Sequence, residues 1–179
     1  MREQTLELTI KNEKKMKKTL VVYGSSTGTC QDIAEKIAAK LGAEAVDVAN
    51  LTDDQVNAAD NLILGTSTWG AGELQDDWYD GLEKLKSLDL SGKTVALFGC
   101  GDCESYSDTF CGGMGEIYAA LRDKGVNFIG AVPTDGYTFD DSAAVVDGKF
   151  VGLALDNVNE EDKTDARIDA WTDAIKNAL

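Results

Sequence analysis

The sequence predicts an α/β fold in which a parallel sheet carries helices on both faces. Three observations lead there. Short apolar runs alternate along the chain with segments whose apolar residues recur every three or four positions, as on a helix face. The runs Asn61–Thr66 and Lys93–Phe98 are nearly continuous in apolar character, as strands buried on both faces are. Loops of unusual polar chemistry follow the first, third and fourth runs, so a parallel arrangement opens all three on one edge of the sheet, where such folds bind ligands.

The first strand is Thr19–Tyr23. Gly24-Ser25-Ser26-Thr27-Gly28-Thr29-Cys30 follows as a tight polar turn, and Ile33, Ile37 and Leu41 then mark a helix. Glu44–Val48 reads as a second strand, and Thr52-x-x-Gln55 as a capping box opening a short helix. The third strand, Asn61–Thr66, runs into Ser67-Thr68-Trp69-Gly70-Ala71-Gly72-Glu73-Leu74, and Trp78, Leu82 and Leu85 lie along the next helix. The fourth, Lys93–Phe98, ends in Gly99-Cys100-Gly101-Asp102-Cys103-Glu104-Ser105-Tyr106. Met114, Ile117, Tyr118 and Leu121 stripe the helix after it, and Gly125 stops that helix. Val126–Val132 is the fifth strand. A polar stretch, Thr134–Lys149, separates it from a further apolar run, Phe150–Leu155, and Ile168, Trp171, Ile175 and Leu179 define the closing helix.

The first loop has the chemistry of a phosphate site. Gly24 and Gly28 permit close backbone approach. The unpaired N–H groups of the helix start lie at the positive end of its dipole, and the hydroxyls of Ser25, Ser26, Thr27 and Thr29 crowd the same spot. No Gly-Lys-Ser/Thr ending and no G-x-G-x-x-G is present, so neither the triphosphate loop nor the dinucleotide fingerprint applies. With no cation in the loop, a monoester phosphate held by neutral donors is the expected ligand. Trp69 and Tyr106 stand in the other two loops, where core packing explains an aromatic poorly, and suit a pair of plates around a flat ring. Trp78 and Trp171 sit on helical stripes and read as packing anchors.

The 179 residues suit one domain, and no apolar run reaches the roughly 18 residues of a membrane-spanning helix. Net charge is −15, and residues 19–179 are more acidic still, which disfavours nucleic acid and anionic membranes and favours a basic protein surface as partner. There is no histidine, so the commonest acid–base group and metal ligand is missing, and no metal site is expected. Residues 1–18 differ from the rest in composition and read as an extension, with Met16 as a natural start and 19–179 as the domain. The absence of an apolar signal core, and four clustered cysteines expected as thiols, suggest the cytoplasm.

Thr19–Leu179 resembles the flavodoxins, and the long-chain kind in particular. The resemblance rests on Ser25-x-Thr27-Gly28, on Ser67-Thr68-Trp69-x-x-Gly72-Glu73-Leu74-Gln75-x-Asp77-Trp78, on Gly99-x-Gly101-Asp102 with Tyr106, on Thr134-Asp135-Gly136-Tyr137, and on Gly148-Lys149-Phe150-Val151-Gly152-Leu153-Ala154-Leu155-Asp156. It implies a doubly wound, five-stranded parallel sheet of order 2-1-3-4-5 and an insertion between Val132 and Phe150 that splits the fifth strand. It also implies non-covalent FMN, with the phosphate on Ser25, Ser26, Thr27, Gly28, Thr29 and Cys30. The ring is expected between Trp69 and Tyr106, bordered by Ser67, Thr68, Gly70, Ala71, Gly72, Cys100, Gly101, Asp102, Cys103 and Asp108. Cys30 stands where the family usually has Thr or Ser, which would give the phosphate a weaker donor.

The resemblance further implies a monomeric, low-potential, one-electron carrier working between semiquinone and hydroquinone, with the Gly70–Ala71 peptide beside flavin N5. Its expected partners are basic-surfaced redox proteins such as a flavodoxin/ferredoxin reductase or a 2-oxoacid oxidoreductase. An FMN-dependent quinone reductase is the main alternative, although plates on both flavin faces leave a hydride donor none. Cys100-x-x-Cys103 lies in a glycine-rich loop rather than opening a helix, against a dithiol site. The cysteine spacing fits no iron–sulfur run. A phosphoacceptor receiver would need an aspartate at the end of the third strand, where Thr66-Ser67 stand.

Overall fold

The computed structural model describes residues 17–69 and 72–179. The proposed extension up to Lys15 therefore lies outside the described residues.

The chain runs β1 (Thr19–Gly24), α1 (Thr29–Leu41), β2 (Glu44–Asp47), α2 (Asp53–Ala58), β3 (Asn61–Trp69), β4 (Glu73–Leu74), α3 (Asp77–Ser87), β5 (Thr94–Cys100), α4 (Gly112–Leu121), β6 (Asn127–Ile129), β7 (Val132–Pro133), β8 (Val145–Val146), β9 (Lys149–Phe150), β10 (Leu153–Leu155) and α5 (Glu161–Ile175). The main sheet has the order β2-β1-β3-β5, and the position beyond β5 is shared by β6 and β10. All these pairings are parallel.

The expected order is therefore found, and so is the split of the fifth strand. β6 pairs with Thr94–Ala96 at one end of β5, and β10 pairs with Phe98–Cys100 at the other. The continuous strand expected over Val126–Val132 is shorter: the backbone leaves the sheet after Ile129, with Gly130 at φ 83°. Val132–Pro133 instead joins β8 and β9 in a small antiparallel sheet. Proline has no N–H to give a ladder, so this edge position suits it.

Alternation within β1 assigns its two faces. Leu20 and Val22 point to one core with Trp78, Leu82 and Leu85 of α3 and Met114, Ile117 and Leu121 of α4. Val21 and Tyr23 point to the other with Ile33 and Ile37 of α1 and Ile168, Trp171 and Ile175 of α5. Trp78 and Trp171 are buried. The capping box at Thr52 is complete: Thr52 Oγ1 accepts from Gln55 N, and Gln55 Oε1 accepts from Thr52 N. α4 ends at Leu121, before Gly125, because its last carbonyls are met by Arg122 and Lys124 in a turn. Among the described residues no helix is long and apolar enough to cross a membrane.

The insertion folds back on β10. Phe110, Tyr137, Phe139 and Phe150 form an aromatic cluster with ring centroids 4.8–6.3 Å apart. Tyr137 Oη donates to Ala154 O at 2.8 Å, and the Arg167 guanidinium lies 4.0 Å above the Tyr137 ring. The insertion thus underpins the loop after β5 from below.

Candidate functional site

β1, β3 and β5 are neighbours in register, with Thr66 opposite both Gly24 and Gly99 and Ser67 opposite Cys100. The three loops therefore leave one edge side by side, as the alternation predicts.

In the first loop Gly28 caps α1 in the left-handed region, φ 92°. Ser25 Oγ accepts the Gly28 N–H at 3.0 Å, and Asp32 N donates to Gly28 O at 3.0 Å. An oxygen that accepts from the backbone keeps its own hydrogen as a donor. Ser26 and Thr27 are exposed, and Thr29 is half-buried. The opening N–H groups of α1 are left without helix partners by its geometry. The loop therefore presents donors, with no side-chain anion before Asp32.

Cys30 behaves differently from the expectation. Its side chain is fully buried in the core between α1 and the sheet, with Tyr23, Cys100 and Leu155. A hydrogen bond with the Cys100 thiol and burial push its pKa up well above the ordinary thiol value. The reason is periodicity: Cys30 shares the inner face of α1 with Ile33, Ala34 and Ile37. Its thiol packs beneath the loop, and what it offers on the loop side is backbone.

In the second loop Trp69 is 44% exposed, and its Nε1 donates to Ser67 Oγ at 3.0 Å. Thr68 Oγ1 accepts from Gly113 N at 3.3 Å. Gly112 cannot carry a side chain, because a Cβ on it would lie 2.8 Å from Gly72 Cα, and Gly72 itself sits in the left-handed region at φ 87°. That approach seats the second loop on the start of α4. Gly70 and Ala71 lie outside the described residues.

In the third loop Tyr106 is 49% exposed, and its N–H donates to Asp102 O at 3.0 Å. Asp102 turns inward: Oδ1 accepts from Glu104 N, Ser105 N and Asn159 Nδ2 at 3.2, 2.9 and 2.8 Å. The Ser105 N–H, Asn159 and then the Glu104 N–H hold its carboxyl below the ordinary value, against the opposing effect of burial. Asp102 thus shapes the loop, while Asp108 is exposed and Gly101 is half-buried.

Behind this loop lies a buried carboxylate to which the sequence assigns no role beyond its place in the last motif. Asp156 is fully buried and accepts from Cys103 N, Val158 N, Asn159 N and Asn159 Nδ2 at 2.9, 3.0, 2.9 and 2.9 Å. Desolvation raises its pKa, but these bonds and the Cys103 thiol outweigh it and leave the value lowered. Burial and the bond to Asp156 in turn push the Cys103 thiol up to about 11. Cys103, Asp156 and Glu160 lie close enough to suggest a cation site. However, both Asp156 oxygens are already taken by donors, and Glu160 is paired with Lys163 and Arg167. Cys100 and Cys103 face different partners, Cys30 and Asp156, rather than each other.

The insertion also braces the third loop. Asp140 N and Asp141 N donate to Ser107 O at 2.8 and 3.0 Å, Ser107 Oγ donates to Asp140 at 2.7 Å, and Ser142 Oγ donates to Phe110 O. Its polar composition disguised this role in the sequence.

A doubly wound sheet with a donor-lined loop at the start of its first helix, and two half-exposed aromatics on the adjoining loops, defines a mononucleotide-binding α/β protein. The chain belongs to the flavodoxin family: the family model for flavodoxin matches residues 21–171. It is 46% identical to flavodoxin 1 of Azotobacter vinelandii over 158 residues, covering 84% of this chain and 91% of that protein. It is 43% identical to a flavodoxin of Helicobacter pylori over 165 residues, covering 92% and 99%. Among solved structures, Fusobacterium nucleatum flavodoxin bound to flavin mononucleotide superposes with a TM-score of 0.86 at 34% identity, covering 92% of this chain and 99% of that one.

Proposed function

We propose that this chain is a low-potential one-electron carrier that binds a single FMN non-covalently, and that it is not an enzyme. The observation that carries the proposal is the convergence on one sheet edge of a donor-only loop with two half-exposed aromatics. The residues fit the group. A phosphate monoester needs donors, which Ser25, Ser26, Thr27, Thr29 and the backbone N–H groups of Thr29 and Cys30 supply at the positive end of α1. A flat ring needs apolar faces, and Trp69 and Tyr106 are the two site aromatics left open to solvent. When bound, the flavin supplies reversible single-electron chemistry.

The protein's part is to hold and enclose the cofactor. Ser67 and Thr68 fix the second loop through Trp69 and Gly113. Gly112 lets that loop close on α4. Asp102, Cys103 and the backbone from Cys100 to Gly101 present a loop held rigid by Asp156 and Asn159. Asp108, exposed beside Tyr106, adds to the acidic rim.

Partners of this carrier are basic-surfaced redox proteins, such as a flavodoxin/ferredoxin reductase or a 2-oxoacid oxidoreductase, met by a monomer whose net charge is −15. Four free cysteines, all buried, accord with a cytoplasmic protein. Residues 1–18 are read as an extension outside the cofactor-binding domain of residues 19–179. A chain beginning at Met16 is accordingly expected to match the full chain in melting temperature and FMN affinity, and a clear loss of either refutes that division.

The test of the cofactor is direct. Titration of the cofactor-free protein into FMN should quench the flavin fluorescence with an endpoint of one FMN per chain. No quenching, or no definite endpoint, overturns the reading.

A further inference from the structure

Gln75 is buried at 2% exposure beneath the first loop, although it belongs to the segment that follows the second. Its side-chain amide has a defined orientation. Nε2 donates to Ser26 Oγ at 3.1 Å and to Asp77 Oδ2 at 2.9 Å, and Oε1 accepts from Asp77 N at 3.0 Å. Its backbone N–H donates to Thr66 Oγ1 at 3.3 Å, so the residue is pinned to the end of β3 as well. Gly24 makes room for it: a Cβ there would lie 2.5 Å from Gln75 Oε1 and 2.5 Å from Trp78 Cδ1. Among the described residues this amide is what joins the Ser26 hydroxyl to the rest of the fold.

We infer that Gln75 is a positioning residue that sets the polarity of Ser26 and thereby tunes the first loop for a phosphate; this rests on the FMN reading above. A serine hydroxyl that accepts from an amide N–H has its own hydrogen left to donate. Gln75 therefore turns Ser26 into a donor toward the open side of the loop, where a phosphate dianion requires donors. The Asp77 contacts at both ends of the amide fix which end is nitrogen, because Asp77 N must meet an oxygen and Asp77 Oδ2 a donor. A glutamate at position 75 reverses the arrangement. Its carboxylate only accepts, so Ser26 must donate inward and shows the phosphate a lone pair, and the added charge faces both Asp77 and the ligand.

The test separates phosphate recognition from ring binding by comparing FMN with riboflavin, which has the same ring and no phosphate. Gln75→Leu is expected to lower FMN affinity roughly tenfold to a hundredfold, the worth of one hydrogen bond to a charged group, and leave riboflavin affinity unchanged. Gln75→Glu is expected to lose more FMN affinity at pH 7.5. Burial beside Asp77 and the phosphate raises the pKa of a carboxyl at position 75, so part of that extra loss should be recovered, relative to the natural chain, at pH 5, where the protonated fraction can again donate to Ser26. Ser26→Ala, on the surface, should match Gln75→Leu, and combining the two should cost no more than either alone. Equal losses for FMN and riboflavin in Gln75→Leu, or additive losses in the double variant, overturn the inference and leave Gln75 a packing residue. If the natural chain shows no preference for FMN over riboflavin, the phosphate reading of the loop fails first, and that outcome is visible before any variant is made.

Discussion

Replacing both Trp69 and Tyr106 with alanine is expected to weaken FMN binding by about 3–6 kcal/mol, roughly a hundredfold to ten-thousandfold. Both side chains are nearly half exposed in a protein whose other tryptophans are buried, so the cost of showing them to water has to be recovered elsewhere. Covering each ring with a flat ligand removes apolar area from water and adds stacking. Because neither ring supports the core, the double variant should keep the melting temperature of the cofactor-free protein. Riboflavin binding should fall by a factor similar to that for FMN, in contrast to the Gln75 variants. Loss of FMN binding confined to one of the two single variants would mean that only one ring is a plate. Fluorescence titration of the two single variants and the double variant decides this.

Asp156→Asn is expected to destabilise the fold by about 2–4 kcal/mol at neutral pH, because a charged acceptor of several bonds becomes a neutral amide whose NH2 must face other donors. Cys103 N and Asn159 Nδ2 both point at Oδ2, so one end of the new amide meets donor against donor. The pH dependence provides a sharper check. Asp156 has a folded pKa below its unfolded value, so its contribution is fully present above about pH 4, the usual aspartate value, and is lost as pH falls through the lowered folded value. The stability gap between the natural chain and the variant should therefore be constant near neutrality and narrow in acid. Urea unfolding at pH 7 and across the acid range measures it, and a gap that stays constant into strong acid contradicts the role. Cys103 supplies a second readout. Without the Asp156 charge, its thiol should titrate below the present value of about 11 and react faster with an alkylating reagent at fixed pH.

What the sequence made legible follows from periodicity and turn chemistry. Strand–loop–helix order placed three loops on one edge, and Ser25, Thr27 and Gly28 stood out because hydroxyls and glycine beside a helix start have few other uses. The aromatics were legible for the same reason, being out of place in glycine-rich loops. Cys30 reads with the loop that precedes it, whereas the positions of Ile33, Ala34 and Ile37 assign its side chain to the inner face of α1. The path from Ile129 to Leu153 was only partly visible. Val126–Val132 has the composition of one strand, and nothing local shows that Gly130 takes the chain out of the sheet or that Phe150 is needed for an aromatic cluster. The roles of Gln75, Asp156 and Asn159 could not be read from local pattern, although Gln75 and Asp156 stand in the motifs that carry the family resemblance. Their partners lie 49, 53 and 57 positions away, at Ser26, Cys103 and Asp102, and a buried polar group is recognisable only once the groups that satisfy it have been brought together.

Stepwise reductive titration of the FMN-loaded protein under anaerobic conditions, followed by visible absorption, shows whether this site serves a one-electron carrier. Two resolved one-electron steps, separated widely enough for the intermediate absorption to accumulate, are the expected result. A single two-electron step, accompanied by turnover of NAD(P)H with a quinone, would contradict the carrier and favour an FMN enzyme on the same fold.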